Sequence, residues 1–188
     1  INVSIPRNTF YDDFFIDFKV SNDTLTIHRD TKPTQKYFDI SYDMSDYKSE
    51  DLNQLYIARL VGWNDYPLYS KTKRKENSLV TSTRTLGKYA LATDTIAPII
   101  KPKNFSKGKW LSKYQFLKIK IEDKESGISN YRATINGKWI LMEYDYKTKT
   151  LTYNFNDAII SETKNNLKLI VTDNVGNNST FEIMFYRK

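Results

Sequence analysis

Residue types able to do chemistry are sparse in this sequence. Among 188 residues there is one imidazole, His28, and no cysteine. A catalytic zinc takes about three protein ligands, usually including more than one His, and a cysteine nucleophile needs a thiolate. Neither can be assembled here. A Ser-His-Asp triad would have to recruit His28, yet no Gly-x-Ser-x-Gly elbow accompanies it. In the alternating stretch Leu25 to Arg29, His28 reads as an ordinary strand residue. The 6 glycines form no Gly-x-Gly-x-x-Gly or Gly-Lys-Ser/Thr phosphate loop. No catalytic residue is assigned.

Carboxylates are more plentiful. The pairs Asp12-Asp13, Glu122-Asp123-Glu125 and Glu143-Asp145 could serve glycoside hydrolysis only if two of them faced each other across a cleft. Strand neighbours point to opposite faces, so adjacency alone does not supply that. Solvated turns are the plainer reading. Another constellation depends on fold. In an immunoglobulin-like sandwich the start of the first strand and the loops after the second and sixth strands share one end. That would gather Asp94, Glu122, Asp123, Glu125, Asp173 and Asn174. Hard oxygen ligands so collected could hold Ca²⁺; alternatively Asp123 and Asp173 cap their own turns through backbone N–H groups.

Aromatic and basic residues alternate once, where Trp63, Tyr66 and Tyr69 precede the run Lys71, Lys73, Arg74 and Lys75. Such interleaving can bind single-stranded nucleic acid or a glycan. A charge run can equally be a hairpin tip or an edge strand protected against aggregation. Trp110 and Trp139 could stack on sugars if exposed; for Trp139, in the alternating Lys138-Trp139-Ile140-Leu141-Met142, core packing is expected.

The elements that must position these residues are strands. Tyr numbers 14, Phe 10 and Trp 3, a composition that fills pleated, half-buried surfaces. Phe14 to Val20 puts Phe14, Ile16, Phe18 and Val20 on one face, and Ser21-Asn22-Asp23 turns into Leu25-Thr26-Ile27, a hairpin. Tyr37–Tyr42, Leu55–Leu60, Leu79–Arg84 and Lys88–Thr93 read as further strands, with Gly87 as a hinge. The polar stretch Ser45 to Asn53 allows a short helical turn with Ser49 as N-cap. Pro98 and Pro102 mark a linker near Asp94 to Pro98. Beyond it, alternation recurs at Phe116–Ile121, Tyr131–Ile135, Trp139–Tyr144, Leu151–Phe155, Leu167–Val171 and Phe181–Tyr186, and Asn136-Gly137 is a strong hairpin signal. Short strands with turns every 8 to 12 residues or so are the immunoglobulin-like pattern. The expected fold is all-β: two tandem β-sandwich domains, 1–94 and 95–188, the second immunoglobulin/fibronectin-like.

Net charge is +7, from 29 basic and 22 acidic residues. That favours anionic partners in general, such as nucleic acid, cell-wall polymers or lipid headgroups, without choosing among them. No apolar run approaches the roughly 18 residues of a membrane span. A start at Ile1 without Met or an apolar leader reads as a fragment or a mature product.

Two strings are distinctive: Tyr131-Arg132-Ala133-Thr134-Ile135 running into Asn136-Gly137-Lys138-Trp139-Ile140-Leu141-Met142-Glu143-Tyr144-Asp145, and Leu169-Ile170-Val171-Thr172-Asp173-Asn174-Val175-Gly176-Asn177. With Leu86-Gly87-Lys88-Tyr89 and Asp94-Thr95-Ile96-Ala97-Pro98 in the same order, the chain resembles, from about Ile5 to Lys188, the C-terminal non-catalytic region of a Bacteroidetes family. Its members are exported proteins with an upstream lysostaphin-type (LytM-like) zinc peptidoglycan endopeptidase domain. That peptidase binds zinc through His-x-x-x-Asp and His-x-His segments, and neither is in this chain. The resemblance implies an accessory spacer or targeting region in an extracytoplasmic setting, periplasm or cell surface. Its implied partners are a cell-envelope component or the adjoining peptidase domain, rather than nucleic acid. The alternative is an envelope glycan- or polyanion-binding module acting through Trp63 to Lys75. No cofactor is expected beyond the Ca²⁺ considered above.

Overall fold

A computed structural model describes residues 1–47, 51–157, 160 and 162–188. The protein is all-β, two sandwich units in tandem, with short 3-10 turns at Asp51–Gln54 and Phe155–Asp157. The units are Ile1–Thr95 and Ile96–Lys188. The expected helical turn corresponds to Asp51–Gln54; its proposed cap, Ser49, lies outside the described residues.

Among the described residues the first unit contains nine strands: β1 (Asn2–Ser4), β2 (Phe18–Ser21), β3 (Thr24–Ile27), β4 (Phe38–Asp43), β5 (Leu55–Val61), β6 (Tyr66–Tyr69), β7 (Thr72–Lys75), β8 (Ser78–Thr83) and β9 (Gly87–Thr93). They form a four-stranded sheet, β1-β4-β8-β7, and a five-stranded sheet, β2-β3-β9-β5-β6. Period-2 alternation decides which side chains meet between them: Phe38, Ile40, Tyr42 and Leu79 from one sheet, and Leu25, Ile27, Ile57 and Tyr89 from the other, all buried. The β8–β9 corner is held by Tyr89, whose hydroxyl donates to Thr85 O (2.6 Å) and meets Thr83 Oγ1 at 3.0 Å. This is the corner device of β-sandwiches, a buried ring whose phenol satisfies a carbonyl a few residues upstream.

The hairpin expected at the start of the chain forms, with Asn22 and Asp23 both at positive φ (48° and 56°), as a two-residue turn matching strand twist requires. Its apolar face is a correction. Strand structure begins only at Phe18, and all four residues of β2 are exposed. Being the sheet edge, β2 leaves Phe18 and Val20 half-uncovered.

The second unit contains β10 (Ile99–Pro102), β11 (Phe116–Glu122), β12 (Ile128–Ile135), β13 (Lys138–Ile140), β14 (Glu143–Asp145), β15 (Thr150–Asn154), β16 (Lys164–Asp173) and β17 (Asn178–Tyr186). The sheets are β10-β11-β15-β14 and β13-β12-β16-β17. In immunoglobulin lettering these are A-B-E-D and C′-C-F-G, so strand order alone makes the unit immunoglobulin/fibronectin-like. The core interleaves Leu117, Ile119, Ile121, Leu151 and Tyr153 with Ala133, Ile135, Ile140, Leu167, Leu169, Val171 and Phe185. Each large apolar side chain so buried contributes about 1.5–3 kcal/mol before entropy is deducted, which accounts for folding without a disulfide. One expected strand, Trp139–Tyr144, is in fact two. The chain leaves β13 in one sheet, crosses at Leu141-Met142, and enters β14 in the other.

Candidate functional site

His28 sits one residue past β3, at φ 45°, not within the strand as its pattern implied. Its N–H donates to Asp17 O (2.9 Å), its Nδ1 lies 3.1 Å from Asp17 Oδ2, and its ring stands 5.0 Å from Phe14. Each contact ties the loop before β2 to the end of β3. The imidazole is a local clasp.

The second unit brings part of the acidic constellation together. The β11–β12 and β16–β17 loops meet at one end, where Asn174 donates from its backbone N to Gly127 O (3.1 Å) and from Nδ2 to Ser126 O (2.7 Å). One carboxylate oxygen of Asp123 and one of Asp173 lie within 4.8 Å of each other. Both carboxylates hold turns. Asp123 Oδ1 accepts from the backbone N–H of Glu125 (3.1 Å) and Gly127 (2.7 Å). Asp173 Oδ1 accepts from Val175, Gly176 and Asn177 N–H (3.0, 2.7 and 2.8 Å), and its Oδ2 from Asn177 Nδ2 (2.8 Å). Three backbone donors converging on one oxygen make a buried carboxylate tolerable, because charge-assisted bonds replace its lost hydration. Glu125 contributes its backbone to the Asp123 turn. Asp94 belongs to the first unit, where its N–H donates to Gln54 O (2.9 Å).

Glu122 has a different task. Its carboxylate is gripped by Lys149 (2.5 Å) and Lys120 (3.0 Å), and these bonds, Lys149 first, pull its pKa down to about 2. An acid held so firmly ionised donates no proton near neutral pH. Asp145 is likewise lowered, first by the Thr148 hydroxyl and then by the Lys147 N–H, capping the β14–β15 turn. Glu143 is exposed on the same strand, and Asp12 and Asp13 are exposed in the loop before β2.

The aromatic and basic run is split by a change of sheet. Trp63 occupies the β5–β6 turn and is 97% exposed; Tyr66 begins β6 and is half-exposed. Tyr69 turns inward, its ring 5.4 Å from Tyr56. Lys71 lies between the strands, and Lys73, Arg74 and Lys75 lie on β7, the edge of the other sheet. Tyr66 pairs with Val61 at one end of this extended run, and Lys75 with Ser78 at the other. Tyr66 and Tyr69 therefore lie on the edge strand of one sheet and Lys73, Arg74 and Lys75 on the edge strand of the other, so the run forms no single track on one sheet.

Trp139 overturns the expected core packing: it is 57% exposed. The Asn136-Gly137 turn, at φ 49° and 79°, fixes a register in which Ala133 faces Ile140 inward and Thr134 faces Trp139 outward. The two-residue turn carried that information, since counting back from it puts Trp139 out of phase with Ile135. Trp110 is 56% exposed and stacks on Tyr186, centroids 5.1 Å apart at 24°.

The sequence pattern of the Zu5-like domain family matches residues 1–94. Among solved structures, the fibronectin(III)-like modules of Clostridium thermocellum CbhA are similar at 10% identity, covering 80% of this chain and 85% of that one, with a TM-score of 0.36. No curated protein matches the sequence.

Proposed function

The chain belongs to the Zu5-like domain family, and on that premise we propose that it is a non-catalytic accessory region of an exported cell-envelope protein. In this reading the two sandwiches space or target a lysostaphin-type peptidoglycan endopeptidase carried elsewhere in the same protein, outside the cytoplasm. The supporting observation is how the reactive groups are engaged. Asp123, Asp173 and Asp145 hold turns, Glu122 is locked between two ammonium groups, and the single imidazole clasps a loop. Groups so engaged stiffen a scaffold; they do not flank a substrate.

Two measurements test this. Purified chain added with zinc to a suspension of peptidoglycan sacculi is expected to leave the turbidity unchanged, and clearing would overturn the non-catalytic reading. Fractionation of the producing cells is expected to recover the chain in the envelope with a zinc-dependent endopeptidase; recovery in the cytoplasm would overturn the rest.

A second reading is favoured by the exposure of Trp63: contact with an envelope glycan or polyanion through Trp63 to Lys75. Sedimentation with sacculi tests it: Trp63→Ala is expected to release the chain, and a variant that sediments like the parent would overturn this reading.

A further inference from the structure

We propose that the outward face of the β13-β12-β16-β17 sheet in the second unit is a glycan-binding surface, with Trp139 as its stacking platform. This goes beyond the spacer role and does not depend on it.

Register pairing lines up Trp139, Thr134, Lys168 and Glu182 in one row across all four strands. At a strand spacing of about 4.8 Å the row is about 14 Å long. Trp139 heads it from the edge strand, more than half of its surface in solvent. The other three residues of the row, Thr134, Lys168 and Glu182, line a groove of about 420 Å³ together with Asn136, Glu162 and Asn166. That volume is in the range of small-ligand sites.

The groove is prebuilt. The Asn136 amide is fixed on both sides, donating to Asn165 Oδ1 (3.1 Å) and accepting from Asn166 N–H (2.7 Å). Lys168 and Glu182 form an ion pair at 2.8 Å with both side chains about half exposed, so a donor and an acceptor are presented together. The same outward face ends, four residues along β17 from Glu182, at Tyr186, onto which Trp110 stacks. Asn166 and Met184 pair between the two platforms.

This chemistry selects the ligand class. An indole face accepts the C–H side of a pyranose ring, while Thr134, Lys168 and Glu182 supply the mixed donors and acceptors that sugar hydroxyls need. The Glu182 carboxylate, which closes the row and pairs with Lys168, disfavours a nucleic acid or another polyanion, which a wholly basic track would suit. Two aromatic platforms at opposite corners suit an extended oligosaccharide better than a single sugar.

Isothermal titration of the purified chain tests the proposal, with chitotetraose and cellotetraose as neutral probes and heparin as the polyanion. At least one neutral tetrasaccharide is expected to bind. Trp139→Ala should weaken it at least tenfold, Lys168→Ala severalfold, and Phe15→Ala, which removes a fully exposed ring of the first unit, not at all. Melting curves check folding, and because Trp139 lies outside the core its variant should melt with the parent. Absence of binding to both tetrasaccharides, binding of heparin alone, or undiminished binding by a folded Trp139→Ala variant would each overturn the proposal.

Discussion

The phenol of Tyr42 donates to the carbonyl of Tyr89 across 2.8 Å, joining β4 of one sheet to β9 of the other inside the first unit. Both rings are buried, so the bond has no water to replace it. Tyr42→Phe keeps the ring and leaves a buried carbonyl short of one partner, a loss of about 1–3 kcal/mol. Denaturant unfolding followed by a probe in the first unit should register it, and an unchanged midpoint would contradict the assignment.

Burial raises the pKa of Tyr42 far above the ordinary phenol value, and burial likewise raises that of Tyr89. A raised folded-state value means the folded protein keeps protons that the unfolded chain gives up. Stability from these groups is therefore complete below about pH 10 and lost as pH rises beyond it. Melting temperature should fall above pH 10, and less steeply in Tyr42→Phe.

Glu122 works at the opposite end of the scale. Its folded pKa of about 2 lies below the ordinary 4.5, so its contribution is present above 4.5 and disappears as pH falls toward 2. The side chains of Lys120 and Lys149 are partly exposed, so salt should also erode it. Glu122→Gln is expected to flatten the acid limb of the melting profile between these pH values. A limb identical to that of the parent would show the ion pairs to be idle.

Asp173 organises the β16–β17 turn through four accepted hydrogen bonds. Removing the acceptor in Asp173→Ala strands several backbone donors, at a cost of about 2–4 kcal/mol. Asp173→Asn, which retains one oxygen, should lose less. Guanidinium denaturation of the two variants distinguishes these outcomes, and equal losses would argue that charge rather than geometry matters.

Lys73, Arg74 and Lys75 lie on an edge strand whose outer hydrogen-bonding side would otherwise template association. Replacing all three with Thr should produce concentration-dependent assembly by light scattering. A variant that scatters like the parent at every concentration would leave the basic run without this protective role.

Much of the fold was legible because strand chemistry is local. Alternation found β3, β4, β5, β8, β9, β11, β12, β15, β16 and β17 nearly in place, and the Asn22-Asp23 and Asn136-Gly137 turns fell where the residues allow positive φ. The turn-capping alternative for Asp123 and Asp173 was also readable, since Asp followed by Gly within four residues is a self-capping pattern. Trp139–Tyr144 misled because a crossing between sheets leaves apolar residues on both sides of the break. Phe14 to Val20 misled because alternation reports which residues share a face, not whether anything covers it.

That distinction separates the two sources of information. The sequence by itself determined the all-β class, the immunoglobulin-like spacing and the lack of donors for a zinc centre, because residue type and a period of two act over a few neighbours. Only the tertiary structure decided that β2 stays uncovered at a sheet edge, that the chain crosses between sheets at Leu141-Met142, and that Thr134, Lys168 and Glu182 form one row. These are outcomes of which strands pair and in what register, where shifting one strand by a single residue would turn every side chain to the opposite face.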